Sequence, residues 1–134
     1  MYCKYIFKEF TMSESLFERL GGQYAVNTAV DIFYRKMLED ERVSHFFDDI
    51  DMDQQILKQK GFLTMVFGGP NQYSGKNMRE GHAPLLKRGL NDMHVDIVIE
   101  HLGATLNELG ATVDDIEQVA AIANSVRDDV LGRS

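Results

Sequence analysis

Four histidines, one tyrosine and two glutamines a helical turn apart are the side chains here with the means to do chemistry, and their settings differ. His94 and His101 stand seven residues apart on one predicted helix, with no carboxylates arranged beside them as a metal set would need. Both read as partly exposed helix histidines, and His45, just before the pair Phe46-Phe47, as a surface residue. His82 is set apart. In "MREGHAPLLKRGL" it lies between Gly81 and Pro84, in a piece that predicts one or two helical turns at most. From the residues alone it reads equally as a loop-capping histidine or as a ligand. No HExxH, no phosphate loop, no GxGxxG between strand and helix and no nucleophile elbow is present.

A second feature lies in "DMDQQILKQKGFLTMVFGG", residues 51–69. At about 100° per residue, Phe62 and Val66 fall on the same stripe as Gln55 and Gln59, with Lys58 at its edge. Amides on the inward side of a helix cost free energy unless something buried answers them. A porphyrin accounts for both features. A single histidine that binds iron needs a partner to fill the other coordination positions, and a porphyrin does so. Its flat apolar disc would take up Phe33, Phe47, Phe62, Leu63 and Val66, and a gas on its far side would accept hydrogen bonds from Tyr34, Gln55 and Gln59.

The elements that must position these groups carry the helical period almost throughout, and none alternates like a half-buried strand. Ser13 predicts the cap of a short helix with Leu16, Phe17 and Leu20 on one face, ended by Gly21-Gly22. Residues 24–38 repeat apolar side chains at three-four spacing, Asp51 caps the glutamine-bearing helix, and Asn91 or Asp92 opens a long helix closed by Gly110. Thr112 and Asp115 cap a last helix running from Val113 through Val126 and Val130 to Gly132. The passage 68–91 is expected to be almost helix-free, which a compact α domain rarely tolerates without something else to hold it. The fold class is all-α.

The 134 residues are one domain by length, large enough for a core without disulfides. A net charge of −7, with acidic residues spread along the chain, argues against nucleic acid or an anionic membrane as the main partner. The single cysteine, Cys3, excludes an internal disulfide framework and fits a cytoplasmic location. No stretch has the length of a membrane span or the pattern of a signal peptide. Residues 1–12 read as a mobile N-terminal extension ahead of a domain over 13–134.

From Ser15 to Leu131 the chain resembles the truncated haemoglobins of group I, of the cyanobacterial, ciliate and green-algal type. The resemblance rests on "LFERLGG", "AVDIFYRKMLEDERVSHFFDDIDM", "QKGFLTMVFGGPNQYSGKNMREGH" and "HLGATLNELG", and on the order of the Gly-Gly pairs 21–22 and 68–69. It implies a two-over-two helical sandwich around haem b, with the proximal helix reduced to a loop and one turn. It implies His82 as the proximal iron ligand, Phe47 stacked on the haem, Tyr34 as the distal tyrosine and Gln55 and Gln59 as the distal amide pair. Tyr73, Lys76 and Met78 fall where the family places propionate and haem-edge contacts. The sequence departs from relatives in Ala83-Pro84 after the proximal histidine and in a last helix without histidine, so the covalent haem link of some cyanobacterial members is not expected.

The implied function is binding of O2 and other diatomic ligands, extending to nitric oxide dioxygenation with an electron donor from outside the chain. NO is then a second partner, with CO and nitrite as further candidates. A second reading places Lys58 on the iron, giving a six-coordinate protein for electron transfer, nitrite reduction or sensing. Coordination needs the neutral amine, whereas a lysine at this edge also has the option of reaching out to a propionate or water. A third reading, from another class, is a haem-free helical module whose glutamines face a partner.

Overall fold

The computed structural model describes residues 15–69 and 75–133, with side chains described outside 75–78. Ser13, the expected extension 1–12 and Tyr73 lie outside the described residues, as do the side chains of Lys76 and Met78. All the described regular elements are helical: α1 (Leu16–Leu20), α2 (Gln23–Glu39), a 3₁₀ turn (Ser44–Phe47), α3 (Met52–Val66), α4 (Gly75–Leu86), α5 (Asp92–Glu108), α6 (Val113–Ser125) and α7 (Arg127–Val130).

Local chemistry sets most of the boundaries. Ser15, rather than the expected Ser13, caps α1 in a reciprocal box with Glu18, and Gly21 closes it in the left-handed conformation at φ 117°. Asp51 accepts from the backbone of Asp53 and Gln54 at the start of α3. Asn91 caps α5 through Met93, and Thr112 with Asp115 boxes the start of α6, as the sequence predicts. Gly69 is required for a different reason: a Cβ there would stand 2.7 Å from the Phe17 ring. That close approach, with the 2.8 Å bond from the Phe17 amide to the Phe67 carbonyl, seats α1 on the end of α3.

Helices α2 and α3 form one pair and α5 and α6 the other, with α2 resting on α5 and α3 on α6. This is the two-over-two sandwich. Its core is built from Val26, Val30, Leu63, Phe67, Leu102, Leu106 and Val119, all essentially without exposure. Val113, which opens α6, is largely exposed, while Ile97 of α5 is buried.

Two expectations are corrected. The passage 68–91 is not almost helix-free, because α4 is a twelve-residue helix that carries Pro84 in its last turn. Proline forfeits one backbone bond and crowds the preceding turn there, and only two residues follow it in the helix. Packing of α4 against α7 supplies what local propensity lacks: Arg79 pairs with Asp129 at 3.0 Å, and a Cβ on Gly132 would already meet Leu86 at 3.1 Å. The last helix, expected to run to Gly132, breaks at Val126, whose φ of −100° and ψ of 8° leave the helical region. Arg127 beyond the break is drawn to Asp92 and Asp96 of α5, at 3.0 and 2.5 Å.

Arg19 of α1 grips Asp115 of α6 with two hydrogen bonds, 2.8 and 3.1 Å, across 96 residues of sequence. Arg19 beside it holds the buried Asp115 carboxyl below its usual range, against the opposing effect of burial. A depressed carboxylate pKa stabilises the fold above the unfolded value near pH 4, and that stability is lost as pH falls through the folded value. Asp115→Ala is therefore expected to cost about 1–3 kcal/mol at pH 7 in urea unfolding. The gap between wild type and Asp115→Asn should narrow steadily below about pH 4; a gap independent of pH would remove the ion pair from the account.

Candidate haem site

The 3₁₀ turn joins α2 to α3 beside the site, and several tethers fix it. Asp40, at the end of α2, takes the backbone amide and guanidinium of Arg42 and the Nε2–H of His101, the last at 2.7 Å. Arg42 above all, with His101, holds the Asp40 carboxyl well below the usual carboxylate range. His101 is thus half-buried, as expected for a partly exposed helix histidine, and is paired with Asp40. Arg88, just beyond α4, donates to the carbonyls of His45 at 2.5 Å and Phe46 at 3.4 Å. Between these anchors Phe46 is buried, and Phe47 stands edge-on to Tyr34, ring centres 5.6 Å apart.

Behind this turn lies a cavity of about 430 Å³, within the range of ligand and cofactor pockets. Helix α2 lines it with Phe33, Tyr34 and Met37, and α3 with Gln55, Lys58, Gln59 and Phe62. Helix α4 contributes His82 and Leu85, and α5 contributes Val95, Val98 and Ile99. Ala123, Val126 and Val130 close the far side, so the break at Val126 shapes the wall. Inside, Gln55 Nε2 donates to the Tyr34 hydroxyl oxygen at 3.1 Å, and the Tyr34 ring, 5% exposed, is wedged between Phe33 and Phe47.

The structure brings together Tyr34, Gln55, Gln59, His82, Phe33, Phe47, Phe62 and Lys58 of the residues selected from sequence. Leu63 is not among the cavity's lining residues; it points into the helix–helix core with no exposure, and Val66 is buried with it. Lys58 borders the cavity from an exposed position. The sequence reading missed Met37, Val43, Ile50, Leu90 and the whole α5–α7 wall, although the three-four spacing of Val95, Val98, Ile99 and Leu102 was visible. It also missed His94, which is 8% exposed, lines the cavity and completes the cap of α5.

The walls fit a flat apolar cofactor: aromatic and aliphatic on most sides, with His82 and Glu80 on α4, His94 in the first turn of α5 and a small polar set on α2 and α3. Among the described residues no three His, Cys, Asp or Glu side chains group as a metal site. Any iron held in this cavity would therefore need a macrocycle such as haem to supply most of its ligands.

Comparison with known proteins agrees. The bacterial-like globin family matches residues 15–131. The group 1 truncated haemoglobin of Tetrahymena pyriformis is 48% identical over 120 residues, spanning 90% of this chain and 97% of its own. That of Synechocystis is 50% identical over 112 residues, 83% of this chain and 90% of its own. The 2/2 haemoglobin of Synechococcus, solved in the cyanomet state with covalently attached haem, superposes with a TM-score of 0.82 at 45% identity, covering 90% of this chain and all of that one. The Tetrahymena pyriformis protein has been solved in its Fe(III) form, also with a tyrosine replaced by phenylalanine or with either of two glutamines replaced by glutamate. The chain belongs to the bacterial-like globins as a group 1 truncated haemoglobin, with haem as its cofactor.

Proposed function

We propose that the protein takes up O2 and other diatomic gases at a haem iron held by His82, with Tyr34, Gln55 and Gln59 as hydrogen-bond donors to the bound gas. The hydrogen bond from Gln55 to the Tyr34 oxygen carries this reading. A phenol oxygen that accepts from an amide retains its own O–H as a donor, so the pair is polarised toward donation. In the replaced residues of the Tetrahymena pyriformis protein, the glutamines stand 21 and 25 positions after the tyrosine. Gln55 and Gln59 stand 21 and 25 positions after Tyr34, which supports equivalent places for all three.

A haem held by His82 would supply a ferrous iron able to bind O2 and to provide the one electron that converting O2 and NO to nitrate requires, leaving ferric iron. The chain's residues do the rest. Tyr34, clamped between Phe33 and Phe47, holds its hydroxyl in one place, so donation needs little reorganisation. Each bond from such a donor to a charged acceptor is worth about 1.5–3 kcal/mol, so two or three of them slow gas release by several powers of ten. The apolar walls keep water from competing for these donors. Nitric oxide dioxygenation is the reaction this arrangement serves best. It requires an electron donor on another molecule, since the chain has no flavin or nicotinamide motif. The exposure of Lys58 favours a place for it at the rim of the site over a place on the iron.

Tyr34→Phe is expected to raise the O2 dissociation rate at least tenfold in stopped-flow measurements; an unchanged rate would refute its role. In visible spectra, His82→Ala should collapse or shift the Soret band of the reconstituted protein, and a wild-type band would mean that another residue holds the iron. Lys58→Ala should leave the ferric spectrum unaltered. Conversion from low to high spin in that variant would instead place Lys58 on the iron.

A further inference from the structure

His94 is the buried titratable group that the reading above leaves unused. It lies in the first turn of α5, more than nine-tenths buried, on the cavity wall near Phe46, Leu90 and Val95. Its Nδ1 accepts the backbone N–H of Asn91 at 3.1 Å, completing the helix cap. A neutral imidazole whose Nδ1 accepts must carry its proton on Nε2, so the cap fixes the tautomer. Burial, with the nearby His45, pushes the His94 imidazole below its ordinary value and keeps it in that neutral form. The edge of the ring meets Phe46, centres 4.9 Å apart at 82°, and this contact holds its orientation. The Nε2–H makes no hydrogen bond to another of the described residues. A buried donor without an acceptor costs about 1–3 kcal/mol, so the side chain calls for a partner within the cavity.

The other α5 side chains on this wall, Val95, Val98 and Ile99, are apolar, and neither the His45 ring, edge-on with centres 6.3 Å apart, nor Glu80 elsewhere on the cavity lining hydrogen-bonds to His94. The cofactor does offer an acceptor, because the two propionate carboxylates are the hydrogen-bond acceptors at the rim of a haem. We propose that His94 is a further haem-holding residue, donating from Nε2–H to a haem propionate while its Nδ1 anchors the ring to the start of α5. The two functions are linked. The backbone bond that caps the helix also sets the proton on the face turned to the cofactor, so His94 couples the start of α5 to haem retention. The proposal rests on haem occupying this cavity, which the Soret band reports separately.

The test compares haem and haem dimethyl ester, whose carboxylates are esterified, in the reconstituted full-length protein. The reading is the rate of haem loss to an excess of a haem-scavenging apoglobin. With haem, His94→Leu is expected to lose the cofactor about tenfold faster or more, as for a lost bond to a charged acceptor. With the ester, wild type and His94→Leu should differ by no more than about twofold. His94→Gln, which keeps an acceptor for the cap and a donor for the carboxylate, should stay within a few-fold of wild type with either cofactor. Equal acceleration by His94→Leu with both cofactors would overturn the proposal and leave His94 as a cap and packing residue. So would no acceleration with haem. A measurement on wild type alone keeps the test independent of folding in the variants: the His94 Nε2–H proton should be protected from exchange by NMR with haem and exchange freely with the ester. Free exchange with both would also overturn the proposal. Absence of any Soret band with haem would be a failure of the haem reading itself.

Discussion

Two helical pairs have to stand far enough apart to admit a flat apolar cofactor, yet remain locked together everywhere else. The rest of the structure is arranged around that requirement. Packed interiors do not keep open spaces by themselves, so the separation has to be held from the edges. Charged contacts do this away from the cavity. Arg19 joins α1 to α6 through Asp115, Asp40 joins the end of α2 to His101 of α5, and Arg127 and Arg133 gather the C-terminal segment onto Asp92. The Arg133–Asp92 pair is exposed and contributes little by itself, but Asp92 serves two arginines and so fixes geometry, whereas the Asp115 and Asp40 carboxylates are largely buried.

Within that frame the polar content of the cavity is small and directional. Tyr34 and Gln55 are joined to each other, His82 lies on α4, and His94 is joined to the backbone of α5. Each is positioned by an element that has a separate reason to be where it is. Gln55 follows from the Asp51 cap that sets the phase of α3, and Tyr34 is held by its aromatic neighbours on both sides. Helix α4 is the exception. Its own sequence, with Gly81 and Pro84, favours helix weakly, and α7 holds it from outside. The placement of His82 therefore depends on contacts made by the last residues of the described chain.

Much of this was legible in the sequence because the signals are local. A cap and its first-turn partner lie three residues apart, and an apolar stripe repeats every three or four, so Asp51, Asn91, Thr112 and the glutamine stripe of α3 could be read directly. The same locality sets Tyr34 on the inward face of α2 with Phe33 and Met37. The family resemblance added the expectation that His82 shares a site with Tyr34, Gln55 and Gln59, which no single spacing contained; all four line the same cavity.

What only the tertiary structure decided involves segments far apart in the chain. Phe62 faces the cavity while its neighbour Leu63 enters the core, because the wall and the core begin one residue apart on α3. Helix α4 forms despite its proline because α7 arrives to pack on it, and the break at Val126 follows arginines that reach back to α5. His94 read as a partly exposed helix histidine because nothing within four residues shows that Phe46, distant in sequence, covers it. The sequence determined by itself the helices, their caps and the side chains on their inward faces, since those depend on interactions spanning a turn or less. Which inward faces meet a cofactor and which meet one another was decided by the assembled fold, since burial depends on the neighbours that other parts of the chain bring.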